Sequence, residues 1–562
     1  MDGGFGLKLA SRISVTLLLL TRLGATFAVA ANPPHFKHIV IIFQENRTPD
    51  NLFGAGSCPA PAVEAGRDRA CANGLPDPAR ATCGVENPFE EGVDIVNGGY
   101  GYIKGRRQEI CSIPLDLIVP NLSPDHSYKN GWIPQYHGGQ MDGFCQIRVR
   151  RQCLQYSYVI KSEVQPYFDI ATNYGFANYM FQTNEGPSFP AHQFILSGTS
   201  APVSPPVQYF DWFVANNGPL DHSGCPDTRA HTQWVDPKGT QHQEPDKYEC
   251  YDHPTLVDLL DNHTDGNGLP APISWRYYTP TPGVIWTAPA AIQKLCYDTN
   301  HVGQPCDSTD WKNNVIWPGK FTNGVIQPGQ STPVLSDIQG CQLQAVSWVI
   351  PDKRHSDHPT FGKDGPSYVA SIVDAIGNAK NCDDGAGYWS DTAIFITWDD
   401  WGGWYDHIPP PVALEQDPKT GFTLCDPNSQ WGCGYVYGFR VPLLVVSKYT
   451  PAGYVSGACH FGSCQNDVFP YQHDFGSILA FIENNFGLGR IAPPGQYSYE
   501  YADVNAPDLN APLGPLGDFF RSKGRDFTQI TPIAGYDIDY FLNYYTITGY
   551  RPDGPDGDLA DE

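Results

Sequence analysis

The chain has 562 residues, ordinary apolar content and no dominant low-complexity tract, which argues against a disordered or fibrous protein and fits a folded globular one. A formal net charge of −25 repels the DNA and RNA backbone, so nucleic acid is excluded as an extended partner, although a bound metal can reverse the field inside one cleft. Fifty-seven glycines and 51 prolines imply long ordered loops on a regular scaffold.

Residues 1–31 read as a signal peptide. Lys8 and Arg12 form a basic flank, a short apolar run follows, and Ala28 to Ala30 supply an A-x-A exit. Arg22 breaks the apolar run, leaving it too short to span a bilayer, and no other segment has the length to do so. A secreted or periplasmic protein is therefore expected, with contact at a membrane surface open to it. All sixteen cysteines lie beyond the cleavage point, and an even count in an exported chain argues for disulfides. Cys145 with Cys153, Cys296 with Cys306, Cys425 with Cys433 and Cys459 with Cys464 are close enough in sequence to pair locally. The partners of the remaining eight are not readable.

The first strand is the most informative. Ile39 to Phe43 is a continuous apolar run with β-branched character, expected of a buried strand at the centre of a parallel sheet. It delivers Glu45 and Asn46 to the strand's carboxyl end, where open α/β sheets place their chemistry. Residues 55–115 follow as an irregular insertion rich in Gly, Pro and Cys. A helix is expected over Glu163 to Tyr174. In Asn184 to Ser200, Gly186, Pro187 and Pro190 set Ser188 in a rigid turn, with a short helix over Ala191 to Leu196. A hydroxyl there sits among unpaired N–H groups that suit phosphate oxygens, although a plain N-cap is the simpler role.

Further strands are expected at Ile273 to Tyr278, Ala345 to Ile350, Ala393 to Thr397 and Val441 to Val446, with helices at Pro254 to Asn262, Pro366 to Asn378 and Asp474 to Phe486. Residues 280–335 read as a second irregular insertion. Strands alternating with helices give one α/β domain over 32–548, a mostly parallel sheet sandwiched by helices with disulfide-bridged loops. Residues 549–562 form an acidic tail. The strand at Ala393 runs into Asp399 and Asp400, and Gly402 and Gly403 end it with a tight turn. Adjacent aspartates repel unless a cation lies between them. A glycosidase pair would have to stand at least about 5 Å apart across a scissile bond, which suits sequence neighbours poorly.

Five blocks in order carry a resemblance: ENRTPDNLFG, MDGF at Met141 to Phe144, GPSFP followed by LSGTS, SDHP at Ser356 to Pro359, and TWDDWGGWYDHIPPP. Together they resemble the bacterial phosphoesterase family, which contains phospholipases C and acid phosphatases and is similar in fold to alkaline phosphatase. The resemblance implies a divalent metal (Ca, Mg, Mn or Zn) held by Glu45, Asn46, Ser188, Asp399 and Asp400, with Ser188 as nucleophile. It implies His358 as a catalytic and substrate-binding residue and His126 as a substrate contact; the role of His407 stays open, a brace for the metal loop being one reading. Oxygen-only donors favour calcium, magnesium or manganese. Pro190-Ala191-His192 stands where the family commonly has Pro-Asn-Arg or Pro-Asn-Tyr. The implied substrate is a phosphate ester or phospholipid. From a different class, a secreted binding protein holding calcium would need no nucleophile at all.

Overall fold

A computed structural model describes residues 34–54, 93–95, 100–115, 124–149, 152–217, 223–229, 231–236, 240–242, 248–299, 301–318, 331–359, 362–410, 437–458, 472–492 and 501–550. The expected signal peptide, most of the 55–115 insertion, the pairs Cys425–Cys433 and Cys459–Cys464, and nearly all of the acidic tail lie outside them.

Eight strands form the central sheet: β1 (His38–Gln44), β2 (Gly175–Ala177), β3 (Trp275–Tyr278), β4 (Val315–Ile316), β5 (Val346–Val349), β6 (Thr392–Trp398), β7 (Leu443–Ser447) and β8 (Tyr454–Ser456). Their spatial order is β4-β3-β5-β1-β6-β7-β2-β8. Neighbours pair in parallel except at β7, which runs against both β6 and β2. The mostly parallel α/β sheet is thus as expected. Both β1 and β6 are buried along their whole length, which is why their sequences are apolar on both faces rather than alternating.

Alternation along these strands sends side chains to two helical layers. Phe43 and Phe395 face the side of α5 (Phe475–Phe486), meeting Phe475 at 5.2 Å and Phe481 at 5.2 Å between ring centroids. The Trp348 indole on the same side donates to the Ile195 carbonyl of α3 (Ser188–Ser197). Trp398 points the other way, against Tyr167 of α2 (Gln165–Asn173), ring centroids 5.1 Å apart. Helix α4 (Gly365–Asn378), with a proline in its first turn where the missing N–H costs nothing, lies beside α2. Asp474 caps α5 through a reciprocal bond pair with Ser477.

Five strands and four helices fall where the sequence places them, each within a few residues, the helix expected at Pro254 to Asn262 being the six residues Leu256–Asp261. β2, β4 and β8 are two or three residues long, too short for periodicity to reveal. β4 lies inside the 280–335 stretch read as irregular, yet it extends the sheet beyond β3. Disulfides join Cys145 to Cys153 and Cys296 to Cys306, as expected, and also Cys225 to Cys250 and Cys341 to Cys382.

Candidate active site

The carboxyl ends of β1, β5 and β6 lie side by side, and the loops that leave them build the site. Main-chain bonds fix their registry: Glu45 N–H donates to the Ser356 carbonyl, Asp399 N–H to Gln44 and Arg47 N–H to Asp400. Asn46 takes a left-handed conformation, φ 58°, one that Asn tolerates better than most residues. Gly402 and Gly403 also have positive φ, and each sits where a side chain could not. A Cβ on Gly402 would stand 2.4 Å from the Asn46 carbonyl, and one on Gly403 would stand 2.5 Å from Pro124. The turn after β6 is thereby pressed against both the Glu45–Asn46 loop and the Pro124–His126 loop.

Ser188 is the first residue of α3 and not part of a separate turn, because the helix begins three residues earlier than the sequence suggests. Its hydroxyl donates to Glu45 Oε2 at 3.1 Å and stands 3.3 Å from Asp400 Oδ2. Asp399 Oδ1 accepts from the Asn46 N–H, and Asp400 Oδ1 from the Asn46 amide and the Gly402 N–H. His126 donates Nδ1–H to the Pro124 carbonyl, leaving Nε2 to accept from the Asn46 amide at 3.1 Å. Glu45, Asn46, Ser188, Asp399 and Asp400 are all fully buried.

Three carboxylates in one dry cluster require compensation. Arg47 does not provide it, since its guanidinium is spent on the Asp357 and Leu115 carbonyls and on Asn51 Oδ1. Burial lowers the Arg47 pKa to about 10, an environment that Asp357 partly offsets. Two acceptors, Asn46 Oδ1 and Asp399 Oδ2, are buried without a hydrogen-bond partner. Oxygen atoms left in this state inside an acidic cluster fit a divalent cation. Burial of Asn46 also rules out glycosylation at Asn46-Arg47-Thr48 in the folded protein.

His358 lies in the loop after β5, tied to the site through the Ser356 carbonyl that Glu45 holds. Its N–H donates to Ser356 Oγ, and its ring faces Trp286 with centroids 6.3 Å apart. Next to it Asp357, at φ 67°, accepts from the Tyr167 hydroxyl and the Trp398 indole, and burial raises its pKa to about 7.

His407 stands apart from the cluster of Ser188. It binds Asp50 through Nδ1 at 2.7 Å and Asp94 through Nε2 at 3.0 Å, while Arg440 bridges Asp50 and Asp406. Asp50, Asp406 and His407 have metal-like spacing, but two cationic side chains already neutralise the acids, so this is a brace. Trp398, Trp401, Trp404 and Tyr405 are buried core residues.

Sequence reasoning missed His192. Its Nε2 lies 3.0 Å from Glu45 Oε1, it is fully buried, and Glu45, His192 and Asp399 offer donor atoms within 4.8 Å of one another. The signal was present as the i, i+4 spacing from Ser188, which puts both residues on one helical face. It was hidden because the helix was expected to start only at Ala191.

A profile of the Phosphoesterase family matches residues 36–489. The chain belongs to that family. As a phosphoesterase-family protein it is a hydrolase of ester bonds. Among its relatives, "Phospholipase C B" of Mycobacterium tuberculosis is 26% identical over 430 residues, covering 74% of this chain and 68% of the relative. "Hemolytic phospholipase C" of Pseudomonas aeruginosa is 22% identical over 510 residues, covering 88% of this chain. The alignment takes in 57% of the Pseudomonas protein, so this chain spans little more than half of its length. The solved lipoteichoic acid synthase LtaP of Listeria monocytogenes matches with a TM-score of 0.27 and 10% identity, over 69% of this chain and 78% of that one.

Proposed function

We propose that this chain is an exported, metal-dependent phosphoesterase of the phospholipase C or acid phosphatase type that works through a phosphoserine at Ser188. The observation that carries the reading is the Ser188 hydroxyl set between Glu45 Oε2 and Asp400 Oδ2, beside the unpartnered acceptors Asn46 Oδ1 and Asp399 Oδ2. A divalent cation bound by Glu45, Asn46, Ser188, Asp399 and Asp400 supplies positive charge that lowers the pKa of the hydroxyl and offsets the phosphoryl oxygens.

The protein groups do the rest. A flanking carboxylate takes the Ser188 proton, Oγ attacks phosphorus, and the bond to the departing alcohol breaks. His358 gives that oxygen a proton, and water then cleaves the Oγ–P bond to restore the serine. His126, its Nδ1–H directed to the Pro124 carbonyl, keeps the Asn46 amide oriented and contributes a substrate contact. The disulfides support an extracytoplasmic setting. Among the described residues no helix is long and apolar enough to cross a membrane. The names of the relatives favour a phospholipid substrate over a soluble monoester.

Hydrolysis of p-nitrophenyl phosphate and p-nitrophenyl phosphorylcholine by wild type and Ser188→Ala, with and without chelator, tests the proposal. Preference for the choline diester assigns the phospholipase C type, and preference for the monoester the phosphatase type. Ser188→Ala is expected to lose at least about 1,000-fold in turnover. A Ser188→Ala enzyme with wild-type turnover would overturn the phosphoserine mechanism.

A further inference from the structure

The oxygen donors of the cluster account for a hard cation, but they leave His192 unexplained. This residue belongs to α3, four positions after Ser188, so the helix presents both side chains to Glu45. Ser188 Oγ approaches one oxygen of that carboxylate at 3.1 Å and His192 Nε2 the other at 3.0 Å. The ring is held edge-on against Phe43, centroids 4.8 Å apart, with no exposed surface. On its other side the cluster offers Asp399, whose Oδ2 is buried and unpartnered. Glu45, His192 and Asp399 together place a carboxylate, an imidazole and a second carboxylate within 4.8 Å. Donors bonded to one ion at about 2.0–2.2 Å stand about 3–3.6 Å from their neighbours in the coordination shell; His192 Nε2 and Glu45 Oε1 are 3.0 Å apart, and Asp399 offers an oxygen within 4.8 Å of both.

We propose that His192 is a nitrogen donor of the metal centre, making it a mixed imidazole and carboxylate site that prefers a borderline divalent cation such as Zn2+ to Ca2+. The inference rests on the reading that a cation occupies the Glu45, Asn46, Ser188, Asp399 and Asp400 cluster. An all-oxygen shell favours calcium or magnesium, whereas imidazole favours zinc and its neighbours in the transition series. One side chain on the nucleophile's own helix therefore sets which metal the site retains.

The test is a competition titration of Zn2+ and Ca2+ into the metal-stripped full chain, comparing wild type, His192→Gln and Glu45→Gln. The wild-type preference for Zn2+ should fall at least about tenfold in His192→Gln, with Ca2+ affinity little changed, while Glu45→Gln weakens both. If His192 only orients Glu45, the two affinities fall together and their ratio stays put, which overturns the inference and leaves the proposed function intact. Wild type that binds neither cation would overturn the proposed function itself. X-ray absorption at the zinc edge covers the case in which His192→Gln does not fold. Imidazole scattering is expected from zinc-loaded wild type and from His126→Gln, and its absence from either would refute His192 as a ligand.

Discussion

At the scale of single residues, the central feature is a serine hydroxyl with a carboxylate on either side. One hydroxyl proton can serve only one of those acceptors, which is why the proposed function gives Glu45 and Asp400 a cation to hold as well as the serine. His358 is the proton source in the proposed reaction. His358→Ala should lower turnover of a poor leaving group by about 100- to 10,000-fold, and much less for p-nitrophenolate, which departs without a proton. Equal losses on activated and unactivated esters would remove His358 from that role. Two parts of this candidate site were legible from residue type, the paired acids after one buried strand and Glu-Asn after another, whereas Ser188, His126 and His358 stood out only through the family resemblance. His192 was not legible, because its meaning depends on where a helix begins, and helix starts are the least readable feature of a sequence.

At the scale of elements, two devices hold the strand ends in place. The turn after β6 uses Gly402 and Gly403, whose positive φ and close approach leave no room for a Cβ. Gly402→Ala must push the Asn46 backbone aside, and a displacement near 1 Å can cost about 100-fold in rate. Activity should fall by that order while the circular dichroism spectrum stays that of wild type; unchanged activity would mean the turn does not set the site. The second device is the brace of Asp50, Asp94, Asp406, His407 and Arg440, which ties α1 (Pro49–Phe53) to the segments beyond β6 and before β7. Burial alone would depress the His407 pKa, but the facing Asp50 and Asp94 carboxylates overcome this and push it up to about 10 from an ordinary 6.5. Its stabilisation is therefore complete below pH 6.5 and is lost as pH rises toward 10. Denaturant unfolding should show wild type losing on the order of a few kcal/mol across that window, and His407→Gln losing less. Parallel pH profiles would contradict the charged brace. The sequence offered only a histidine near the metal loop; its partners come from regions too far apart for spacing to connect.

At the scale of the whole molecule, the fold was readable because its two innermost strands are apolar on both faces, which only a sheet covered on each side produces. What escaped notice was peripheral: strands of two or three residues at the sheet margins, whose pairing is decided by tertiary contact and not by local pattern. The aromatic residues around Gly402 were ambiguous in sequence, because a tryptophan in a core and one on a lipid-facing rim look alike. Burial resolves them as core. The acidic cluster joins residues next to β1, β6 and α3, so a cation bound there should stabilise the elements it links. At a hundredfold excess over its dissociation constant the gain is about 2.7 kcal/mol, and chelation should lower the melting temperature accordingly. A melting temperature indifferent to chelator in wild type, and equal to that of Asp399→Asn, would count against a cation in this cluster.

The most direct measurement is rapid acid quench of the wild-type enzyme during turnover of whichever of p-nitrophenyl phosphate and p-nitrophenyl phosphorylcholine it prefers, followed by peptide mass spectrometry. The account predicts a phosphate ester on the peptide containing Ser188, absent from Ser188→Ala. Turnover with no phosphorylated peptide, or with the phosphate on another residue, would contradict it.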